Sequence, residues 1–165
     1  MKKALVIGVT LLATLMIVFS VTAQPAEANT IIGECGGYVV SLGETGYFAE
    51  GWQGAIFVGT DANDEILGTQ GADLILALPG NDVIRGFSGN DVICGGAGVD
   101  KLHGMNGHDI LIGEAGVDTI FGGNGDDIMT GGAGPDKFIG GGGTDTATDF
   151  DTKDGDRQFQ VEILD

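Results

Sequence analysis

Basic side chains are what this chain most conspicuously lacks: its 165 residues carry 7 Lys and Arg against 24 Asp and Glu, a net charge of −17. Acidity of this size argues against nucleic acid or an anionic membrane surface as a partner, since both would repel it. Cysteine is nearly absent too, with only Cys35 and Cys94. In an exported chain such a pair reads as one disulfide, and the alternative is two unpaired thiols. Catalytic constellations are also missing. There is no H-E-x-x-H, and Ser88 sits in Gly-Phe-Ser-Gly, which lacks the G-x-S-x-G spacing of a nucleophile elbow. His103 and His108 fall in different parts of neighbouring segments, so they do not share a metal. Asp149, Asp151 and Asp154 before Gly155 miss the EF-hand spacing by one residue and lack its final glutamate. The chain is therefore expected not to be an enzyme.

Glycine, by contrast, is abundant, with 32 residues, and most of it is periodic. From Gly59 to Thr148 the chain divides into ten nine-residue repeats without an insertion: GTDANDEIL, GTQGADLIL, ALPGNDVIR, GFSGNDVIC, GGAGVDKLH, GMNGHDILI, GEAGVDTIF, GGNGDDIMT, GGAGPDKFI and GGGGTDTAT. The sixth position is aspartate in every repeat: Asp64, Asp73, Asp82, Asp91, Asp100, Asp109, Asp118, Asp127, Asp136 and Asp145. Glycine fills the first position except at Ala77, and the fourth except at Ala62. The eighth is apolar from Ile66 to Ala147. A fixed period with three constrained columns is the signature of a solenoid.

The termini differ from the repeat. Lys2 and Lys3 precede an apolar run from Ala4 to about Val21, followed by small residues at Ala26-Glu27-Ala28. Residues 1–28 read as a signal peptide, with Ala23 a second cleavage choice and an uncleaved anchor the alternative. Its removal takes away Lys2, Lys3 and Glu27 and moves the net charge to −18, leaving enough chain for one domain. Residues 29–58 hold the only Trp and both Tyr residues, and are too few for a core of their own, so they are expected to cap the repeat. Residues 149–165 read as a C-terminal cap or a final strand, and residues 59–148 as the roll itself.

Each repeat splits into a glycine-rich turn, G-x-x-G-x-D, and a three-residue strand whose one apolar side chain points inward. Two repeats make a coil, which predicts five coils and two facing parallel sheets. One apolar residue in nine makes a thin core for a chain so rich in glycine, whose ordering is entropically costly. The aspartates add to the difficulty. Turns two repeats apart stack, so Asp64 neighbours Asp82, Asp73 neighbours Asp91, and so on to Asp127 and Asp145. Two carboxylates ~5 Å apart repel by ~3 kcal/mol at an effective dielectric of 20. A divalent cation between them reverses that sign. Ligation by oxygen alone, from paired carboxylates and turn carbonyls, suits calcium better than magnesium or zinc. Ten turns make eight such gaps, and eight Ca2+ would bring the charge to about −2. An aspartate in one glycine turn is ordinarily just a turn former, but ten in register are not explained that way.

These residues resemble the G-G-x-G-x-D-x-U-x nonapeptide of the RTX, or haemolysin-type, calcium-binding repeat family. The resemblance runs from Gly59 to Asp145 and is best in the third to ninth repeats. It implies an all-β fold, the parallel β-roll, a right-handed β-solenoid, with the ten sixth-position aspartates as metal ligands and turn carbonyls completing each shell. It also implies a secreted calcium-binding protein whose folding is driven by metal outside the cell. The chain is similar as well to small secreted proteins made of little but this repeat. Ala62, Ala77 and the sparse last repeat depart from the pattern. The family usually leaves the cell by a type I route without an amino-terminal signal, whereas this chain is expected to carry one; both routes lead outside. The other readings are a cell-surface adhesion or interaction module and an accessory of a secreted RTX enzyme system. An adhesive or ice-binding array would need a repeated outward column, and position three, from Asp61 to Gly142, offers none.

Outward residues separate by parity. Odd repeats give a mixed face with Glu65, Arg85, Lys101, His103 and Lys137. Even repeats give an apolar one: Leu74, Leu76, Val92, Ile110 and Ile112. So much bare apolar surface needs a cover. Residues 29–58 are expected to supply it, with Cys35 bonded to Cys94 on that face; the alternative is a dimer or protein partner there.

Overall fold

The computed structural model describes residues 30–43, 46–153, 155–159 and 162–163; the signal segment expected at 1–28 lies outside them. Every described element is a β-strand. Three of them, β1 (Thr30–Cys35), β2 (Tyr38–Gly43) and β3 (Gly46–Ala49), form an antiparallel sheet in the order β1-β2-β3. The rest wind into two parallel sheets. One holds β4 (Ala55–Val58), β6 (Asp73–Leu76), β8 (Val92–Gly98), β10 (Ile110–Gly116), β12 (Ile128–Ala133), β14 (Thr146–Ala147) and β16 (Glu162–Ile163). The other holds β5 (Glu65–Leu67), β7 (Val83–Ser88), β9 (Lys101–Asn106), β11 (Thr119–Asn124), β13 (Lys137–Gly142) and β15 (Arg157–Phe159). This is the parallel β-roll, with alternate repeats in opposite sheets and partners eighteen residues apart, as in Ile93 beside Leu111 and Ile120 beside Phe138.

The eighth-position column is the core. Ile66, Ile75, Ile84, Ile93, Leu102, Leu111, Ile120, Met129, Phe138 and Ala147 have no exposed surface, while the flanking strand residues point outward. Two details differ from the expected arrangement. From β7 to β13 the strands are longer than three residues, because the first turn positions stay in the ladder: β9 runs from Lys101 on through Gly104 to Asn106. The roll also extends past the ten repeats at both ends. β4 pairs with β6 in the same register, Phe57 beside Ile75, so Phe57 heads the apolar column. Residues 55–58 thus belong to the roll rather than to the cap. The segment was hidden because Ala55 stands where the aspartate column would continue. At the other end β15 pairs with β13, Lys137 beside Arg157, and β16 with β14, Thr146 beside Glu162. Offsets of 20 and 16 residues conceal these strands from a nine-residue ruler. Phe150 packs edge-on against Phe138 at 6.2 Å and covers the last of the column.

The antiparallel sheet lies on the even face. Cys35, Val40 and Ala49 from the cover form a second core with Ile56, Leu74, Leu76, Val92 and Cys94 from the roll. Contact is close: a methyl group on Gly33 would lie 2.7 Å from Leu76 Cδ2. Tyr38 and Trp52 meet edge-on at 5.0 Å beside this core. The expected disulfide is present between Cys35 and Cys94. Leu74, Leu76 and Val92 are therefore buried within the chain, and at these three residues the cover occupies the surface that the alternative reading gave to a dimer or protein partner. Ile110 and Ile112 lie at its margin, half-buried. The odd face is mixed as expected, with a 2.7 Å Arg85–Glu65 ion pair and His103 stacked on Phe121.

The disulfide closes a loop with 59 residues of separation. For a loop of that length the unfolded-chain entropy it removes is worth about 4 kcal/mol. Cys35→Ser or Cys94→Ser is expected to lower the denaturation midpoint accordingly under non-reducing conditions. Equal midpoints for wild type and variant would contradict the bond's role in holding the cover.

Candidate metal centre

The turns stack as two towers of aspartate. In each, the backbone amide of one sixth-position aspartate donates to Oδ1 of the aspartate eighteen residues on. Asp64 donates to Asp82 at 2.7 Å, Asp82 to Asp100 at 2.8 Å, Asp100 to Asp118 at 2.8 Å and Asp118 to Asp136 at 2.8 Å. In the second tower Asp73 donates to Asp91 at 2.9 Å, Asp91 to Asp109 at 2.8 Å, Asp109 to Asp127 at 2.9 Å and Asp127 to Asp145 at 3.1 Å. All ten predicted residues are thereby brought into line, and nine of them, Asp73 to Asp145, are buried, Asp64 being partly so.

The other carboxylate oxygen separates these residues into two groups. Oδ2 of Asp82, Asp91, Asp100, Asp109, Asp118, Asp127, Asp136 and Asp145 is buried with no hydrogen-bond partner. Burying an ionised oxygen unpaired is strongly unfavourable, and eight such atoms stand in register. Asp64 and Asp73 are different. Thr60 donates its amide (2.7 Å) and its hydroxyl (3.0 Å) to Asp64 Oδ2. Thr69 donates its amide to Asp73 Oδ2 (2.5 Å) and its hydroxyl to Oδ1 (2.9 Å). The backbone follows the same division. In the third to tenth repeats the second turn residue has positive φ, at Leu78, Phe87, Gly96, Met105, Glu114, Gly123, Gly132 and Gly141. Four of these are not glycine and carry a cost of ~1 kcal/mol each. Thr60 and Thr69 do not adopt it, and their amides face the carboxylate instead.

Glycine keeps the gaps open. A methyl on Gly95, in the first position, would lie 2.6 Å from Asp100 Oδ2 and 3.0 Å from the carbonyl oxygen of Gly113. One on Gly89, in the fourth, would lie 2.6 Å from the carbonyl oxygen of Gly71. Second-position carbonyls, such as those of Leu78, Met105 and Glu114, likewise face the turn two repeats on. Each gap is thus bordered by two carboxylates and several backbone carbonyls. Among the described residues no three His, Cys, Asp or Glu side chains gather as a metal cluster, so backbone oxygen has to supply much of any shell. Hard oxygen ligands in a flexible cradle suit calcium.

Burial raises these carboxyls above their ordinary range. Asp91 and Asp118 are pushed up to about 7, and Asp82 and Asp109 to about 6, by burial first and by neighbouring carboxylates in the tower second, against the lowering effect of the amide each accepts. Asp73, Asp100, Asp127 and Asp136 shift the same way for the same leading cause.

Sequence reasoning missed Thr60, Thr69 and Asp156. Asp156 Oδ1 accepts the Asp136 amide at 2.8 Å, twenty residues on, and so extends the first tower. The available signal was Gly155-Asp156 ahead of the short strand Arg157-Gln158-Phe159, half a repeat standing two residues out of register.

The fold and these turns define a class: a parallel β-roll whose stacked carboxylates and carbonyls form cation-sized oxygen gaps. The model of the RTX calcium-binding nonapeptide repeat (4 copies) matches at residues 58–93, 67–102, 95–129, 103–138 and 121–147. Together these matches cover more than half of the chain, which therefore belongs to the RTX calcium-binding nonapeptide repeat family. Its repeats bind calcium as a class, and the stacked aspartates fit such sites. No curated protein matches the chain.

The shifted carboxyls predict a pH dependence. A folded-state pKa above the ordinary 3.8 means that the metal-free roll binds protons more tightly than the unfolded chain, so its stability falls as pH rises from about 4 to about 7. Acidifying metal-free protein from pH 8 to pH 5 is expected to increase its β signal in circular dichroism. A signal that is flat or falls would overturn this account of the towers.

Proposed function

We propose that the protein is a secreted calcium-binding β-roll that orders when it meets calcium outside the cell. The observation that carries the reading is the set of eight buried Oδ2 atoms without a hydrogen-bond partner. Calcium supplies the positive charge that lets paired carboxylates remain ionised at close range.

Six gaps have the open type of turn on both sides: Asp82 with Asp100, Asp91 with Asp109, Asp100 with Asp118, Asp109 with Asp127, Asp118 with Asp136, and Asp127 with Asp145. These fill first. The gaps from Asp64 to Asp82 and from Asp73 to Asp91 have a threonine-closed turn on one side and fill last, which sets the upper limit of eight ions within the ten repeats. Ordering of the chain and binding of metal are one equilibrium in this reading.

Two features support export. The Cys35–Cys94 disulfide belongs in an oxidising compartment, and Lys2, Lys3 and the apolar run to Val21 have the composition of a cleaved signal. In calcium-poor cytoplasm the towers would repel themselves; outside, the metal reverses this. The roll, residues 59–148 with one strand added at its head and a final coil at its foot, then carries the cover sheet on its even face.

The experiment is a calcium titration in chelated buffer followed by circular dichroism, with magnesium in parallel. Calcium is expected to bring out the β signal and magnesium not to match it. Full β structure without metal, or equal response to magnesium, would sink the reading. Asp109→Asn keeps an acceptor for the Asp91 amide but removes one charge, and is expected to raise the calcium midpoint by about tenfold, the factor carried by ~1.4 kcal/mol.

A further inference from the structure

We propose that Asp136 and Asp156 form an additional cation site at the C-terminal end of the roll, with Asp156 contributed from outside the nonapeptide pattern and outside the matched residues 58–147. This rests on the calcium-binding reading above. The rung repeats the bond that defines the others and keeps one of the two open oxygens, since Asp156 Oδ2 accepts the Asp151 amide while Asp136 Oδ2 has no partner. Asp156 Oδ1 accepts the Asp136 amide at 2.8 Å, the same bond that links every step of the towers. Asp136 Oδ2 is buried and has no partner, with Asp136 only 2 % exposed. Where the ten repeats alone would leave that oxygen at an open end, the chain brings a further carboxylate over it.

The surrounding geometry shows a turn of the same kind with two residues inserted. Gly155, at φ 102°, stacks under Pro135, where a methyl would stand 3.1 Å from the proline Cβ. β15 then continues beside β13. Asp149 accepts the amides of Gly131 at 2.9 Å and Gly132 at 2.6 Å, adding negative charge at the top of the same turn. Among the described residues the one ion pair is Arg85–Glu65, so no basic side chain neutralises Asp136, Asp149 or Asp156. Two carboxylates and an oxygen-lined turn are what each interior gap offers, and the ligand class is the same, a hard divalent cation.

The site has a structural consequence of its own. Phe150 lies in the loop between Asp149 and Asp156 and covers Phe138 at the end of the apolar column. A cation shared by Asp136 and Asp156 fastens that loop, and with it the lower lid of the core. Asp156 is more exposed than the aspartates from Asp73 to Asp145, so this rung fills after the six open gaps as calcium rises.

The test is calcium stoichiometry at saturating metal, by equilibrium dialysis and metal analysis, on the whole exported chain. Asp156→Asn retains an acceptor for the Asp136 amide; its other oxygen serves only the exposed Asp151 amide, which water can satisfy. The variant is expected to hold one ion fewer than wild type with the same β signal. Asp151→Asn, whose Oδ1 accepts only the Lys153 amide, is expected to hold the wild-type number. Saturating calcium restores a weakened roll by mass action, so the count reads the site rather than the fold. An unchanged count for D156N, or a loss of more than one ion, overturns the proposal while leaving the interior sites standing. A wild type that takes up no calcium would sink the underlying reading instead.

Discussion

Like charge stacked on like charge is the constraint on which the rest of this molecule depends. Every coil places an aspartate above another at the same height, and the backbone hydrogen bonds that hold the towers draw the carboxylates inward rather than letting them turn to water. An arrangement that buries eight unpaired carboxylate oxygens is unfavourable by itself. It is tenable when protonated or when a cation shares the gap. In the function proposed above, the geometry that makes the metal-free roll weak is the one that a bound cation strengthens.

The turn and the strand divide the work. One apolar side chain per repeat fills the interior and fixes which way each strand faces, while the turns carry nearly all the polar chemistry. Glycine is needed in the turn for two separate reasons, visible at Gly95 and Gly89: at the first a carboxylate oxygen occupies the space of a side chain, and at the second a neighbouring carbonyl does. The second turn position is less strict. Leu78, Phe87, Met105 and Glu114 all take positive φ there, because the stacked turns on either side hold the backbone in place and the side chain projects outward.

The cover sheet solves a different problem. A roll with one aliphatic sheet face would expose Leu74, Leu76 and Val92, and the antiparallel strands bury all three while the disulfide fastens them. The cover spans the first coils of the face only, since Ile128 is 44 % exposed. Stability is consequently uneven along the solenoid. The head has a second core and a covalent link, whereas the foot has the Phe138–Phe150 contact and the Asp136–Asp156 bond.

Much of this was legible in the residues. The nine-residue period fixed which aspartates are neighbours, because a two-repeat coil sets eighteen-residue spacing whatever the side chains do, and the same period separated the apolar face from the mixed one and placed Cys94 on it. Phe57 and Asp156 escaped notice for one reason: the strand ladder tolerates a missing turn residue or a two-residue insertion that a periodic pattern does not. What only the tertiary structure decided is the fate of each carboxylate oxygen. Ten aspartates occupy the same column, yet Thr60 and Thr69 satisfy two of them and leave eight with an empty Oδ2. Sequence sets position through periodicity; pairing depends on backbone φ and on the direction of each N–H, and those are settled only when the turns are stacked.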